Sequence, residues 1–180
     1  EHVTGEFGRG TVVLLTPQGR RFDSALAREL AGREHLILIC GRYEGIDNRV
    51  SLHLADMEIS MGDYVLTGGE IPAMALVDAV SRFVPGVVGT MESVARDSFE
   101  EGILAPPHYT RPERFEGMSV PEVLLSGNHE RIREFRIREA LKKTLAVRPD
   151  LLKREKLSDE ANRILDDLMK EAERERKKEK

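Results

Sequence analysis

Hydrophobic and polar positions in the first half of the chain alternate between short apolar runs and helical patterns. Thr11 to Thr16 and His35 to Cys40 are near-continuous apolar runs, typical of buried strands. Between them, Asp23 is suited to cap a helix that continues through Ala31 and stops at Gly32. Because near-continuous apolar strands separated by a helix indicate parallel pairing, this half is predicted to be an α/β unit with a parallel sheet.

Shorter elements follow in the same half. Asp47 is predicted to cap a helix that ends near Ala55, and Met57–Ser60 and Tyr64–Thr67 are apolar enough to be short strands. A helical pattern then runs from Pro72 through Phe83, since proline is tolerated in the first turn of a helix.

The second half changes character. From Gly86 to about Pro121 the chain is rich in proline and has little periodicity, which indicates a functional loop or a linker. Helices are then expected from Gly127-Asn128 through about Leu145 and after a cap at Ser158, and the charged tail Glu173–Lys180 is interpreted as a fraying, solvated helix end. The predicted organisation is an α/β domain over 1–89, an interdomain linker over 90–120 and a small all-helical domain over 121–180.

Composition narrows the class of protein. The 180 residues are 40% hydrophobic and 33% charged, as in soluble globular proteins, and no apolar run is long enough to span a bilayer. The only cysteine, Cys40, excludes an intrachain disulfide, and no signal peptide is apparent, so we expect a cytoplasmic protein. Because Cys40 ends an apolar run, it is expected to be buried.

Charge and histidine spacing bear on possible ligands. The net charge of −4 argues weakly against nucleic-acid binding, yet arginine and lysine crowd the region from Arg131 to Lys156, where a local basic face could contact RNA. The five histidines lack the spacing of a structural zinc site.

Three glycine-bearing segments lie where predicted strands end, namely Leu15–Gly19, Gly41–Asp47 and Gly62–Glu70. In open α/β sheets this edge is where ligands bind. Neither the P-loop pattern nor the Rossmann pattern is present, so an adenosine ligand without phosphates fits better than a nucleoside triphosphate. Simple structural roles remain open, because Gly68-Gly69 can be a tight turn and Asp47 a helix cap.

Several motifs in these and later segments resemble one family. LTPQG, GRYEGID, GDYVLTGGE, SRF-PGV, RDSF-EG, PHYTRP and VLLSGNH match, in order from about Thr11 to about Asp150, the bacterial tRNA (guanine-N1)-methyltransferases of the TrmD family. The resemblance implies a SPOUT-type fold with a trefoil-knotted S-adenosylmethionine site, and a chain that lacks roughly the N-terminal third of the family's enzyme. It also implies a homodimer with a shared active site.

The resemblance further implies two catalytic residues. N1 of guanine carries a weakly acidic proton, so its methylation requires a base, and the family pattern places a carboxylate for this role at Asp97. The matching arginine, Arg82, would stabilise the negative charge that develops on O6. As alternatives without function, Arg82 is suited to a helix C-terminus and Asp97 to capping a turn.

The implied binding residues fall into two sets. Contacts with S-adenosylmethionine are expected from Leu15, Thr16, Pro17, Gly19, Gly41, Tyr43, Glu44, Gly45, Ser60, Met61, Gly62, Tyr64, Leu66, Gly68, Gly69 and Pro72. RNA contacts are expected from Arg42, Glu44, His108, Arg111, Arg131, Arg138 and Lys142, the last three on one helix face. A proline-rich linker and a solvated helix face are the alternatives for the later residues.

The function implied is methylation of N1 of the guanosine at tRNA position 37, next to the anticodon, with the anticodon stem-loop as RNA partner. Mg²⁺ is an expected participant, although no set of protein ligands for it is identifiable. The alternatives are a SPOUT methyltransferase for another RNA nucleotide and a catalytically silent RNA-binding or dimerisation fragment.

Overall fold

A computed structural model describes residues 5–6, 8–88 and 97–178, which form two compact units that divide the chain between Val94 and Ala95. The described part of the segment expected to be a linker belongs to the second unit. Each unit has its own hydrophobic core.

The first unit is built on a three-stranded parallel sheet. In chain order it contains β1 (Thr11–Arg21), α1 (Ser24–Ala31), β2 (Leu36–Cys40), α2 (Asn48–His53), β3 (Met57–Ser60) and α3 (Glu70–Ser81). The strand order is β2-β1-β3, and both pairings are parallel, which confirms the predicted α/β class and parallel sheet. Its core joins β1, α1, β3 and α3 through Val13, Leu26, Leu30, Ile59 and Leu76.

Strand β1 extends beyond the predicted end at Thr16. After pairing Leu15 with Ile59, the strand breaks register and pairs Arg20 with the same Ile59. Gly19 permits this second approach, because a β-carbon there would lie 2.4 Å from the main-chain carbon of Glu58. The periodicity of apolar residues did not predict this extension, because the residues after Thr16 are largely polar.

The caps predicted at Asp23, Asp47 and Ser158 are confirmed, and Asn128 caps the helix that was predicted to start at Gly127-Asn128. The side chains of Asp23, Asp47, Asn128 and Ser158 each accept a hydrogen bond from a main-chain N–H in the first turn, at 2.8 to 3.2 Å. These bonds satisfy donors that the start of a helix leaves without a partner, so local sequence chemistry defines these helix starts.

Three predictions in the first unit are wrong in detail. Residues 64–67 form no strand, and the isolated antiparallel bridge next to this segment pairs Gly68 with Arg42. Helix α3 begins at Glu70 and ends at Ser81, two residues earlier at each end than expected. Cys40 is exposed, since β2 is an outer strand of the described sheet and Cys40 is its last residue.

The second unit is mainly helical. It contains the hairpin strands β4 (Arg114–Phe115) and β5 (Met118–Ser119), then α4 (Glu122–Leu125), α5 (His129–Val147), two 3₁₀ turns (Pro149–Leu151 and Arg154–Lys156) and α6 (Asp159–Lys178). The hairpin lies in a segment expected to be irregular. The core of this unit packs α5 against α6 and includes Ile103. The charged tail remains helical and exposed through Lys178.

Candidate functional site

A cleft of about 390 Å³ lies in the first unit where the predicted strand ends meet. Its walls are the segments that follow the first pairing of β1, the end of β2 and the end of β3, together with the start of α3. This is the edge of a parallel sheet at which ligands are expected. Three segments that are distant in sequence therefore form one concave surface.

Almost all of the residues predicted to contact a cofactor line this cleft. The set comprises Leu15, Thr16, Pro17, Gly41, Tyr43, Glu44, Gly45, Ser60, Met61, Tyr64, Leu66, Gly68, Gly69 and Pro72. The two exceptions are Gly19, which packs β1 against β3, and Gly62, which lies buried in the turn after β3. The N–H of Gly62 donates to Oγ of Ser60 at 3.2 Å, so this glycine supports a residue of the cleft wall without lining the cleft itself.

Gly69 brings the start of α3 onto the end of β2. Its N–H donates to the carbonyl oxygen of Gly41 at 2.8 Å, and a β-carbon at Gly69 would lie 2.6 Å from Cα of Cys40. Only glycine allows this approach without displacing main chain. A larger residue at this position would therefore disturb the packing of α3 on β2 as well as the cleft.

An ion pair spans two walls of the cleft. Nε of Arg42 donates to Oε1 of Glu70 at 2.6 Å, and Arg42 and Gly68 form the isolated bridge beside it. The hydrogen bond from Arg42 holds the pKa of the Glu70 carboxyl below its usual range. The pair ties the turn after β2 to the first residue of α3.

Tyr43 has an unusual backbone conformation. Its φ is 64°, and the residue is 98% exposed although it lines the cleft. A left-handed conformation is costly for a residue with a large side chain and clusters at functional positions. Because its ring is exposed rather than half-buried, Tyr43 is available to contact a ligand in the cleft.

Sequence reasoning missed a polar pair on the same surface. The hydroxyl of Ser51 on α2 donates to the carboxylate of Glu58 on β3, and both residues line the cleft. Glu58 precedes the buried Ile59 in β3, so strand alternation could have placed its side chain on the opposite face. Glu70 was also missed, although it directly follows the Gly68-Gly69 pair.

Comparison with known proteins shows the family of this chain. A family model described as tRNA (Guanine-1)-methyltransferase TrmD matches residues 1–154. The chain belongs to this TrmD family.

Curated relatives named tRNA (guanine-N(1)-)-methyltransferase are similar over most of the chain. The relative from Moorella thermoacetica is 57% identical over 91% of this chain and 66% of its own length. The relative from Limosilactobacillus fermentum is 60% identical over 90% of this chain and 64% of its own length. The relative from Geotalea uraniireducens is 55% identical over 96% of this chain and 70% of its own length. The chain thus spans about two thirds of the length of these TrmD relatives.

The two residues to which the TrmD pattern assigns catalysis lie in different units. Arg82 directly follows α3 and is exposed in the first unit. Asp97 is the first described residue of the second unit and is also exposed. Neither residue lines the cleft, so their roles in chemistry stay predictions.

The residues predicted to contact RNA have mixed surroundings. His108 and Arg111 are exposed before the hairpin, and Arg131 is exposed on the first turn of α5. Arg138 instead pairs with Glu171 of α6, and Nζ of Lys142 lies 2.8 Å from Oε1 of Glu139. The basic face predicted on α5 is therefore partly neutralised by neighbouring carboxylates.

Within 5–6, 8–88 and 97–178, no group of three or more histidine, cysteine, aspartate or glutamate side chains is placed to hold a metal ion. In the same ranges, no helix combines the length and apolar character needed to cross a membrane.

Proposed function

We propose that this protein is a tRNA (guanine-N1)-methyltransferase, which transfers a methyl group from S-adenosylmethionine to N1 of the guanosine at tRNA position 37. The observation that carries the proposal is the convergence of three strand-end turns on one cleft in a member of the TrmD family. The relatives with this printed activity cover most of the chain at 54 to 60% identity.

The cleft suits the cofactor in size and chemistry. Its volume of about 390 Å³ falls within the range of small-molecule sites. Leu66 and Pro72 offer apolar surface for an adenine ring, while the carboxylate of Glu44 can accept hydrogen bonds from amino groups. When bound, S-adenosylmethionine would supply an electrophilic methyl group.

The chain's own residues would handle the proton and the charge. Asp97 would accept the proton from N1 of guanine, and the guanidinium of Arg82 would face the negative charge that develops on O6. Both interactions strengthen as N1 loses its proton, so they stabilise the transition state more than the bound substrate. Mg²⁺ would keep several of its water ligands and bind the RNA or the substrate rather than a set of protein ligands.

An apolar helix face supports a homodimer. On α3, Ile71, Met74 and Val77 are 61%, 72% and 56% exposed and recur every third residue. A contiguous apolar surface of this kind is typical of protein interfaces. We propose that a second copy of the chain covers this face and completes the shared active site. We also propose that the trefoil knot of SPOUT enzymes surrounds the cofactor cleft. The anticodon stem-loop of a cytoplasmic tRNA would be the RNA partner.

The test is single-turnover methylation with enzyme in excess over a tRNA that carries guanosine at position 37. Asp97→Asn keeps the shape of the side chain but removes the base, so methyl transfer should slow by about 10²- to 10⁴-fold. S-adenosylmethionine affinity, measured by calorimetry, should stay unchanged because Asp97 lies outside the cleft. A methylation rate for Asp97→Asn equal to that of the wild type across neutral pH would refute the assignment of the base.

Two controls separate this activity from its alternatives. A tRNA with adenosine at position 37 should not be methylated, whereas methylation elsewhere would indicate a different target nucleotide. S-adenosylmethionine should raise the unfolding temperature, because a ligand that binds only the folded state stabilises it. A chain that binds tRNA but shows no such stabilisation would be a catalytically silent RNA-binding protein.

A further inference from the structure

Thr144 is a buried polar residue that holds a distant segment of the second unit. It lies on α5 with 0% of its surface exposed. Its Oγ1 donates to the carbonyl oxygen of Ala140 at 2.7 Å and accepts from the N–H of Leu104 at 2.9 Å. The second bond joins positions 40 residues apart in sequence, so it is a tertiary contact rather than a helix feature.

The segment that Thr144 holds is itself a closed turn. The N–H of Phe99 donates to the carbonyl oxygen of Ile103 at 2.8 Å, and the N–H of Ala105 donates to Oγ of Ser98 at 2.9 Å. Ile103 belongs to the core that packs α5 against α6. Residues 98–105 are therefore closed by their own hydrogen bonds and attached to α5 at two successive positions, Ile103 and Leu104.

We propose that Thr144 is a positioning residue for Asp97, and that α5 sets the place of the catalytic carboxylate through the bond from Thr144 to Leu104. The proposal rests on the function proposed above, in which Asp97 is the base. Asp97 directly precedes Ser98, whose hydroxyl closes the turn, so a shift of this turn moves the carboxylate with it. A misplacement of about 1 Å in a reacting group can reduce a rate by about 100-fold.

A purely structural role would also bury and satisfy the Thr144 hydroxyl. The two roles differ in where the damage appears after substitution. Structural damage lowers stability and is shared by other core substitutions in α5 and α6. Loss of positioning slows the chemical step at saturating tRNA and leaves S-adenosylmethionine affinity intact, because the cleft lies in the first unit.

The experiment compares Thr144→Val with Thr144→Ser in the full chain. Valine has the shape of threonine but cannot accept from Leu104, whereas serine keeps the hydroxyl. In Thr144→Val, the Leu104 amide should exchange its hydrogen at least about tenfold faster, since it loses its partner. Single-turnover methylation at saturating tRNA should slow by about 10- to 100-fold. Thr144→Ser should restore both to within a few-fold of wild type.

Ile164→Val is the matched control, because it trims the same core on α6 without touching the bond to Leu104. It should lower the unfolding temperature but leave the methylation rate within about twofold of wild type. If Thr144→Val does not fold, Ser98→Ala opens the same turn from its other side and should slow the reaction in the same way.

The outcomes separate the two proposals. Methylation by folded Thr144→Val at the wild-type rate, with Asp97→Asn still slow, would overturn the positioning role and leave the proposed function standing. Equal slowing in Thr144→Val and Ile164→Val would also overturn it in favour of simple stabilisation. If Asp97→Asn reacts at the wild-type rate, the base assignment fails and the positioning role fails with it.

Discussion

Arg42 and Glu70 form an ion pair, with 2.6 Å between Nε and Oε1, that joins the turn after β2 to the start of α3. The hydrogen bond from the Gly69 N–H to the carbonyl oxygen of Gly41 runs beside it. Two non-covalent links thus close the same wall of the cleft. Arg42 therefore has a structural partner within the chain, in addition to the RNA contact that the family pattern suggests.

Glu70→Gln should weaken S-adenosylmethionine binding with little loss of stability. An exposed ion pair contributes little to folding, whereas a looser turn at 41–45 raises the entropic cost of ordering the cleft around a ligand. Calorimetric titration of Glu70→Gln, Arg42→Gln and the double variant measures the coupling. If the pair acts as a unit, the double variant should bind S-adenosylmethionine no more weakly than either single variant. Additive losses of affinity would contradict coupling between Arg42 and Glu70.

The same pair predicts an acid-dependent component of stability. Because Arg42 lowers the pKa of Glu70 in the folded state, this contribution is fully present above the usual glutamate pKa of about 4.3 and is lost as the pH falls through the lower folded-state value. Chemical unfolding of wild type and Glu70→Gln should be measured between about pH 6 and pH 2.5. The free energy of unfolding should fall less steeply with decreasing pH in the variant than in the wild type. Parallel curves would show that the pair makes no contribution to stability over this pH range.

Tyr43 should contribute to S-adenosylmethionine binding through its ring, although its backbone conformation is strained. Tyr43→Gly removes a strained conformation that costs about 1–3 kcal/mol. It also adds backbone freedom to the unfolded chain, worth about 0.4–1 kcal/mol, so the stability should stay the same or rise by up to about 2.5 kcal/mol. S-adenosylmethionine affinity should fall in both Tyr43→Gly and Tyr43→Ala and be retained in Tyr43→Phe. Wild-type affinity in Tyr43→Ala would show that the ring does not contact the cofactor.

Arg131 and Arg138 should differ in their effect on tRNA binding. Arg131 is exposed, whereas 29% of the Arg138 side chain is exposed and its guanidinium pairs with Glu171. Arg131→Ala should weaken tRNA binding and lower the magnitude of the salt-dependence slope by about 1, as expected for one lost phosphate contact.

Glu171→Gln tests whether Arg138 is also available to RNA. Removing the competing carboxylate should strengthen tRNA binding if Arg138 contacts a phosphate. Filter-binding titrations at several salt concentrations provide the measurement. Glu175→Gln, further along α6, is the control for the change of +1 in net charge. Equal effects of Glu171→Gln and Glu175→Gln would assign Arg138 to helix packing alone.

Cys40 should react slowly with alkylating reagents despite its exposure. Partial desolvation and, secondarily, the nearby Glu70 carboxylate raise the pKa of its thiol, so less of it is thiolate at neutral pH. The pH profile of iodoacetamide labelling should have its midpoint above that of a free cysteine peptide. Glu70→Gln should shift the midpoint down, and no shift would remove Glu70 as a cause.

The local chemistry of the sequence was sufficient for the parallel sheet, for the longer helices and for most of the cleft. Asp23, Asp47 and Asn128 start helices because their side chains bond to main-chain groups only two or three residues away. Buried strands are recognisable because apolar runs have few other uses, and glycine turns at their ends mark an edge where ligands bind. These are short-range effects, and the residues that produce them are neighbours in the sequence.

Tertiary structure decided which segments meet. The Tyr64–Thr67 run is apolar, yet it becomes a cleft wall because no neighbouring strand pairs with it in the described residues. Cys40 is exposed because its strand lies at an outer position of the described sheet. The bonds from Arg42 to Glu70 and from Leu104 to Thr144 join positions 28 and 40 residues apart. No local pattern encodes such partners, since they depend on how whole elements pack.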